Sequence, residues 1–430
     1  MKYKPFLIAV SALVLSAAIA RAQAAPSWTQ NNAYQAWEGF KGYFYTSGAK
    51  GGDIIAEQRI GNQSPNHWSA MWQEAEEIEV AEDAFYWSQR IGGNTSNYLT
   101  HVNNLCNGFI DNMTPAGYIG PGGKLDWSGD VFNDDLMWAS IAFARAYQIT
   151  HDPDWLTAAK NQFNTVWTRA QAGNGGLIQS QKHTPRDGST WVPNLDAPVN
   201  FTFVIAGYLI YDNTGDASYK NKADTVYAWA SANLFGAAVA GPACQNQTGL
   251  TCVKIYDSNN TGPFPNYKSY TGGTIGRSDY AYNYGTAIQA AVREALAGND
   301  AATNEAAAQN IANYLMFNMN NPNFPYGPPY NGYNILPNYG QDGTNNAGYN
   351  GIALRGVGLG LNRKNAGGQP ILNATTLAWA QTNLQAAWNI RNSDNVMWND
   401  WVDSIPGNYT YHSWDCSSAV AGMLDIAPPN

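Results

Sequence analysis

Apolar residues recur at i, i+3 and i+4 in a dozen separate stretches of this 430-residue chain, and no other feature limits its fold as much. The periodicity predicts helices over 32–45, 67–90, 96–112, 133–149, 154–171, 197–212, 216–234, 279–297, 300–320, 346–360, 373–391 and 415–425. Several boundaries are written in the residues. Asp152-Pro153 opens one helix, with proline in the first turn where a missing N–H costs nothing. Asn299-Asp300 and Asp216 stand as caps ahead of two others. Between the helices lie Gly-, Pro- and Asn-rich loops at 114–130, 173–195, 236–278 and 321–345. They exceed ordinary connections, and long loops in a compact domain are usually functional. Strand patterns are confined to short runs such as Leu177-Ile178-Gln179 and Val253-Lys254-Ile255-Tyr256, enough for small hairpins. A helix with one apolar stripe must bury it on a neighbour. No Pro-rich or Ser-rich linker and no charge run divides the chain, so the twelve helices are expected to close as six hairpins around one axis. The loops of alternate helices would then surround a single cleft. A solenoid of helix pairs is the competing arrangement, but no repeat period is visible.

The core for such an all-α domain is available, with 44% hydrophobic residues. Charged residues are 13%, about half the usual share of roughly 25%. A net charge of -9 argues against a nucleic-acid partner, which calls for a basic face. With 16 Trp and 26 Tyr, the surface suits a neutral hydroxylated ligand better than a polyanion.

Residues 1–24 read as a secretory signal, followed by one domain over 25–430. Lys2 and Lys4 precede an apolar run from Phe6 to Ala20, and small residues at Ala20, Ala22 and Ala24 offer a cleavage site. The run is short for a membrane span, and no hydrophobic tail follows Asp425, so no lipid anchor is expected. The expectation is a secreted, extracellular monomer. Four cysteines suit that compartment. Loop closure favours Cys244–Cys252, leaving Cys106 to pair with Cys416; two buried free thiols are the alternative to the second bond. The five histidines are scattered and no metal spacing occurs, so neither a metal nor another cofactor is expected.

The chemistry points to one place. In Asp130-Val131-Phe132-Asn133-Asp134-Asp135-Leu136-Met137-Trp138 two adjacent carboxylates stand at a helix start, in a chain poor in charge. With Asn133 as N-cap, both fall in the first turn, where acids interact favourably with the helix dipole whatever else they do. Their carboxyls can also lie roughly 5–6 Å apart, the separation that a retaining glycosidase needs. The helix end favours an ionised Asp134, and repulsion from that charge favours a protonated Asp135. Spacing alone leaves the two roles interchangeable.

Asn133-Asp134-Asp135-Leu136 with Trp138 resembles the paired-aspartate signature of glycoside hydrolase family 76, the endo-α-1,6-mannanases. Three further segments agree in order: Trp72 to Ala84 (WQEAEEIEVAEDA), Ser278 to Gly285 (SDYAYNYG) and Tyr349 to Leu359 (YNGIALRGVGL), the last with Asn350 where the family usually has Lys. The likeness spans nearly all of 25–430. It implies an (α/α)6 barrel and retaining, metal-free cleavage of α-1,6-linked mannan, with Asp134 as nucleophile and Asp135 as acid/base. Around that pair, Asn133, Trp127, Trp138, Tyr282, Tyr284, Asn283, Asp342 and Arg355 are candidates to bind substrate. Each has a plainer use: core packing for the aromatics, a turn for Asn283 and Asp342, an internal ion pair for Arg355. His183 and Trp191 sit in a candidate rim loop. Glu74, Glu76, Glu77, Glu79 and Glu82 read mostly as a solvated helix face. Two readings compete with hydrolysis: a wall-remodelling transglycosylase of the same family, and a non-catalytic mannan-binding protein. An inverting (α/α)6 glycosidase needs more distant carboxyls, and an epimerase would display catalytic histidines.

Overall fold

The computed structural model describes residues 25–58, 69–113, 127, 129–180, 194–237, 239–240, 244, 249–261, 264–265, 273–319, 323, 325–340, 346–407 and 409–429. The helices are α1 (Gln30–Phe44), α2 (Met71–Arg90), α3 (Ser96–Met113), α4 (Asn133–Thr150), α5 (Pro153–Arg169), α6 (Ala197–Thr214), α7 (Ala217–Leu234), α8 (Ala281–Leu296), α9 (Ala301–Phe317), α10 (Tyr349–Asn362), α11 (Ala374–Asn389) and α12 (Ser413–Asp425). Every expected helix is present, with ends displaced by a few residues. Asp152 caps α5, accepting from the N–H of Asp154 at 3.0 Å, and Asp216 caps α7 through Ser218 at 2.9 Å. Asp300 does hold the cap position of α9, but with φ at 41° and no capping bond from its side chain.

The even-numbered helices form a closed inner ring: α2 packs on α4, α4 on α6, α6 on α8, α8 on α10, α10 on α12, and α12 returns to α2. The odd-numbered helices pack outside it, for example α3 against α2 and α4, and α5 against α4 and α6. The architecture is an (α/α)6 barrel. Inner helices have no face to give to water, which is why α6 is apolar all round and buried from Ala197 to Ile210. Where α8 meets α10, the helices touch through glycines. A Cβ on Gly285 would lie 2.5 Å from the Ala353 Cα, and one on Gly356 would overlap the Gly285 carbonyl.

The ring has two unlike ends. Each inner helix passes to its outer partner by a short connection, at 91–95, 151–152, 215–216, 297–300 and 363–373. The return connections are long, at 45–70, 114–132, 170–196, 235–280, 318–348 and 390–412. All six inner helices therefore start at the long-loop end. The eight short strands also lie in these returns, as antiparallel pairs β1 (Tyr45–Ser47) with β2 (Asp53–Ile55), β3 (Val239–Ala240) with β4 (Thr251–Cys252), β5 (Ser258–Asn259) with β6 (Ile275–Gly276), and β7 (Gly327–Tyr330) with β8 (Tyr333–Ile335). The expected strand residues take part: Leu177 bridges Gln171 and Ile255 bridges Phe235.

Two expectations fail. Glu74, Glu76, Glu77, Glu79 and Glu82 are not a solvated face; all are buried, as is Asp83. Glu76, Glu79 and Asp83 recur at helical spacing and meet two arginines, one from the adjacent inner helix α4 and one from α10 across the axis. Arg145 of α4 bonds Asp83 at 2.5 Å, approaches Glu82 at 3.2 Å and also pairs with Glu79. Arg355 of α10 bonds Glu76 at 2.5 Å and Asp83 at 2.9 Å. The axis of the barrel is thus an ionic core, with Asp83 shared between both guanidiniums. The second error is the Cys106–Cys416 bond. Cys244–Cys252 is bonded, whereas Cys106 and Cys416 are buried free thiols. Cys106 lies on α3 and Cys416 on α12, and α2 packs against both helices. Cys106 is within Coulombic reach of Glu82 and Cys416 of Glu77. Those α2 positions are about 7.5 Å apart along the axis and point in different directions. None of the described helices is long and apolar enough to cross a membrane. Residues 1–24 lie outside the described residues.

Candidate active site

None of the six inner helices has an N-cap side chain accepting from its first turn. Outer helices α1, α5, α7 and α11 do, through Thr29, Asp152, Asp216 and Asn373. The first N–H groups of inner helices are taken instead by groups of the long loops: Asn133 by the Gln179 carbonyl, Ala197 by that of Asp257, Ser413 by that of Glu57 and Ala281 by the Tyr339 hydroxyl. The positive ends of the helix dipoles still gather at the long-loop end, a favourable setting for negative charge.

Asp134 and Asp135 occupy the first turn of α4 there. The cap position belongs to Phe132, in extended conformation, and not to Asn133 as the sequence suggested. Asn133 is wholly buried and consumed by structure: its amide donates to the Ile178 carbonyl at 2.6 Å and accepts from Arg169 Nε at 2.7 Å. Its backbone N–H donates to the Gln179 carbonyl at 2.6 Å. These bonds, with the Phe132–Ser180 bridge, lay residues 177–180 along the start of α4. Gln179 is thereby aimed at the acids, and its Nε2 donates to Asp134 Oδ2 at 3.1 Å. Asn194 holds Gln179 in turn, donating to its Oε1 at 3.0 Å and to Asp196 Oδ2 at 3.1 Å.

The two acids differ electrostatically. Asp134 is 9% exposed, and burial pushes its pKa from 3.8 up to about 6, opposed by the Gln179 amide and by the N–H groups of Asp134 and Asp135. Asp135 is pushed well above the usual carboxylate range by burial, then by the charges of Asp134 and Asp130, with no donor opposing. Of the pair, Asp134 ionises first and Asp135 keeps its proton longer. Asp196, at the N-cap of α6, is also driven up by burial and by Asp134.

Aromatic rings complete the mouth. Tyr282, half-buried in the first turn of α8, lies 4.0 Å from Tyr349 between centroids, and both rings are within Coulombic reach of Asp134 and Asp196. Tyr280 and Trp72 extend the cluster at 5.8 and 6.5 Å from Tyr349, and Trp414 stands edge-on to Trp72 at 4.9 Å.

Other expected site residues go elsewhere. Trp127 is fully buried, stacked on Phe143 at 5.5 Å and edge-on to Phe109, which leaves no face for a sugar. Trp138 follows Asp134 by one turn, but at 4% exposure it packs beneath the acids. Tyr284 is buried against Tyr314, with its hydroxyl on Asp279 at 2.6 Å. Asn283 is wholly buried; its backbone N–H closes the turn onto Tyr280, and its side-chain amide has no partner among the described residues. Arg355 belongs to the ionic core. Asp342, His183 and Trp191 lie outside the described residues. Gln179, Asn194, Asp196 and Tyr349 were not recognised as site residues. Once alternate helices are known to be inner, their first turns become the signal for Asp196 and Tyr349. Among the described residues no group of His, Cys, Asp and Glu could hold a metal ion.

The profile of glycosyl hydrolase family 76 matches residues 123–423. Solved structures agree in fold. The α-1,6-mannanase GH76A of Salegentibacter sp. HEL1_6 is 20% identical, with TM-score 0.65, covering 92% of this chain and 98% of that one. An inactive variant of it with two adjacent aspartates changed to asparagine, in complex with α-1,6-mannotriose, aligns at 19% identity and TM-score 0.65, with the same coverage of 92% and 98%. A family 76 mannosidase from Bacteroides thetaiotaomicron VPI-5482 is 14% identical, with TM-score 0.66, over 92% of this chain and 96% of that one. No protein with a curated description matches the chain.

Proposed function

The chain belongs to glycosyl hydrolase family 76, and from that premise we propose that it is a secreted, retaining endo-α-1,6-mannanase. One observation carries the reading: Asp134 and Asp135 stand side by side at the long-loop end of the ring, with unequal hold on their protons. Asp134 is the nucleophile, since amide donors favour its charged form. It attacks the anomeric carbon of an α-1,6-linked mannose, forming a covalent mannosyl ester as the C1–O6 bond breaks. Asp135 gives its proton to the leaving O6, then takes one from the water that attacks C1 and releases Asp134. Tyr282 and Tyr349 offer apolar faces to the sugars, and Asp196 accepts from a hydroxyl. The complex of a relative with α-1,6-mannotriose, formed after two adjacent aspartates were changed, supports both the substrate and the pair.

Digestion of an unbranched α-1,6-mannan, with NMR of the first anomer released, is the decisive experiment. An α-anomer is expected. Asp134→Asn should reduce release to background, and Asp135→Asn should lower it by about 10²–10⁴-fold, each with an unchanged circular dichroism spectrum. Release of the β-anomer first, or full activity in either variant, would remove the mechanism.

A further inference from the structure

At the end of the barrel opposite the acids, where the inner helices finish, the ring encloses a cavity of about 350 Å³. All six inner helices contribute to its wall, and five of the chain's eleven arginines line it: Arg90, Arg145, Arg293, Arg355 and Arg363. Arginines at such a place have an ordinary use, which is to offset the partial negative charge of converging helix C-termini. Arg90 has that use, donating to the Leu424 carbonyl with Asp425 at 3.9 Å. Arg145 and Arg355 are engaged by the acids of α2.

Arg293 and Arg363 are spent on neither. Arg293 of α8 reaches Asp212, itself half exposed, at 3.4 Å through Nη1, and its buried Nε has no acceptor among the described residues. Arg363, exposed just past α10, has no side-chain partner among them. Gln289, one turn before Arg293 on the same wall, is 9% exposed and its amide is likewise unpaired there. A buried donor without an acceptor is costly, and the one unpaired buried acceptor on this wall among the described residues, Asp425 Oδ2, belongs to the carboxylate that faces Arg90. Burial, with Arg363 and Arg145 nearby, lowers Arg293 to about 10, as expected where positive charges crowd.

We propose that this cavity binds a phosphoryl group, as inorganic phosphate or a phosphate monoester, between the guanidiniums of Arg293 and Arg363 and the amide of Gln289. A dianion with several acceptor oxygens satisfies Arg293 Nε and Gln289 together, and guanidinium–phosphate bonds are among the strong charge-assisted kind.

Titration calorimetry of the purified protein at constant ionic strength tests this, with inorganic phosphate in one arm and glucose 6-phosphate in the other. Saturable 1:1 binding is expected in at least one arm, about 10-fold weaker in both Arg293→Gln and Arg363→Gln. Arg363 is exposed, so its variant keeps the fold and should hydrolyse mannan at the unaltered rate. Tighter binding of the ester supports a ligand whose organic part fills the rest of the cavity, and equal binding supports free phosphate. No saturable heat in either arm, or unchanged affinity in both variants, overturns the assignment.

Discussion

Gln179 sets the protonation of the site from a residue that carries no charge. Its amide is the strongest influence holding down the pKa of Asp134 against burial. Gln179→Ala should raise the Asp134 pKa, moving the acid limb of the kcat/KM profile from near pH 6 to higher pH by about 1. The alkaline limb, where Asp135 loses its proton, should move little. An acid limb left in place would show that Gln179 does not act on the nucleophile. The aspartate pair was legible because two carboxylates at a helix start stand out in a chain with 13% charge. Gln179 was not, because its loop reaches α4 through backbone bonds to Asn133 that no pattern of side chains announces. Asn133 and Trp127 were misread for a related reason. Both adjoin the acids in sequence, but they point into the protein and are filled by Arg169, Ile178 and Phe143.

Helices are the part of this protein that sequence shows best, since each needs only its own period and caps. Contacts between helices are less visible. Gly285 and Gly356 lie in segments whose family likeness suggested a role in the cleft, yet both serve the approach of α8 to α10. Gly285→Ala should destabilise the fold by roughly 1–3 kcal/mol, because an added methyl meets backbone that cannot yield. Its pH profile should match the parent, as the acids sit on a different helix. A lowered Tm with an altered acid limb would tie this contact to the site instead. The six uncapped inner helices make a similar point. Missing caps look like weak helix starts in sequence, and in the ring groups of the long loops take their place, as the Gln179 carbonyl does for Asn133 and the Tyr339 hydroxyl for Ala281.

The buried acids of α2 give the whole molecule an unusual pH response. Glu74 and Glu76 are each raised to about 8, chiefly by burial, and Glu77 and Glu82 are raised as well. Groups whose folded pKa exceeds the unfolded value bind more protons when folded. Their contribution is complete below about pH 4.5 and is lost as pH rises through about 8. Thermal melts should therefore give a higher Tm at pH 5 than at pH 8.5, opposite to a fold held by exposed salt bridges. A Tm that rises across this range would contradict the burial of these acids. The amino-acid sequence by itself determined twelve helices and the acid pair at a helix start, because helix periodicity and a first-turn carboxylate are local facts. Only the tertiary structure decided which helices face the axis, and with that which polar stripes are wet and which are buried. A polar stripe has the same period in either place. The ring decides whether it meets water, as on an outer helix, or the guanidiniums of Arg145 and Arg355.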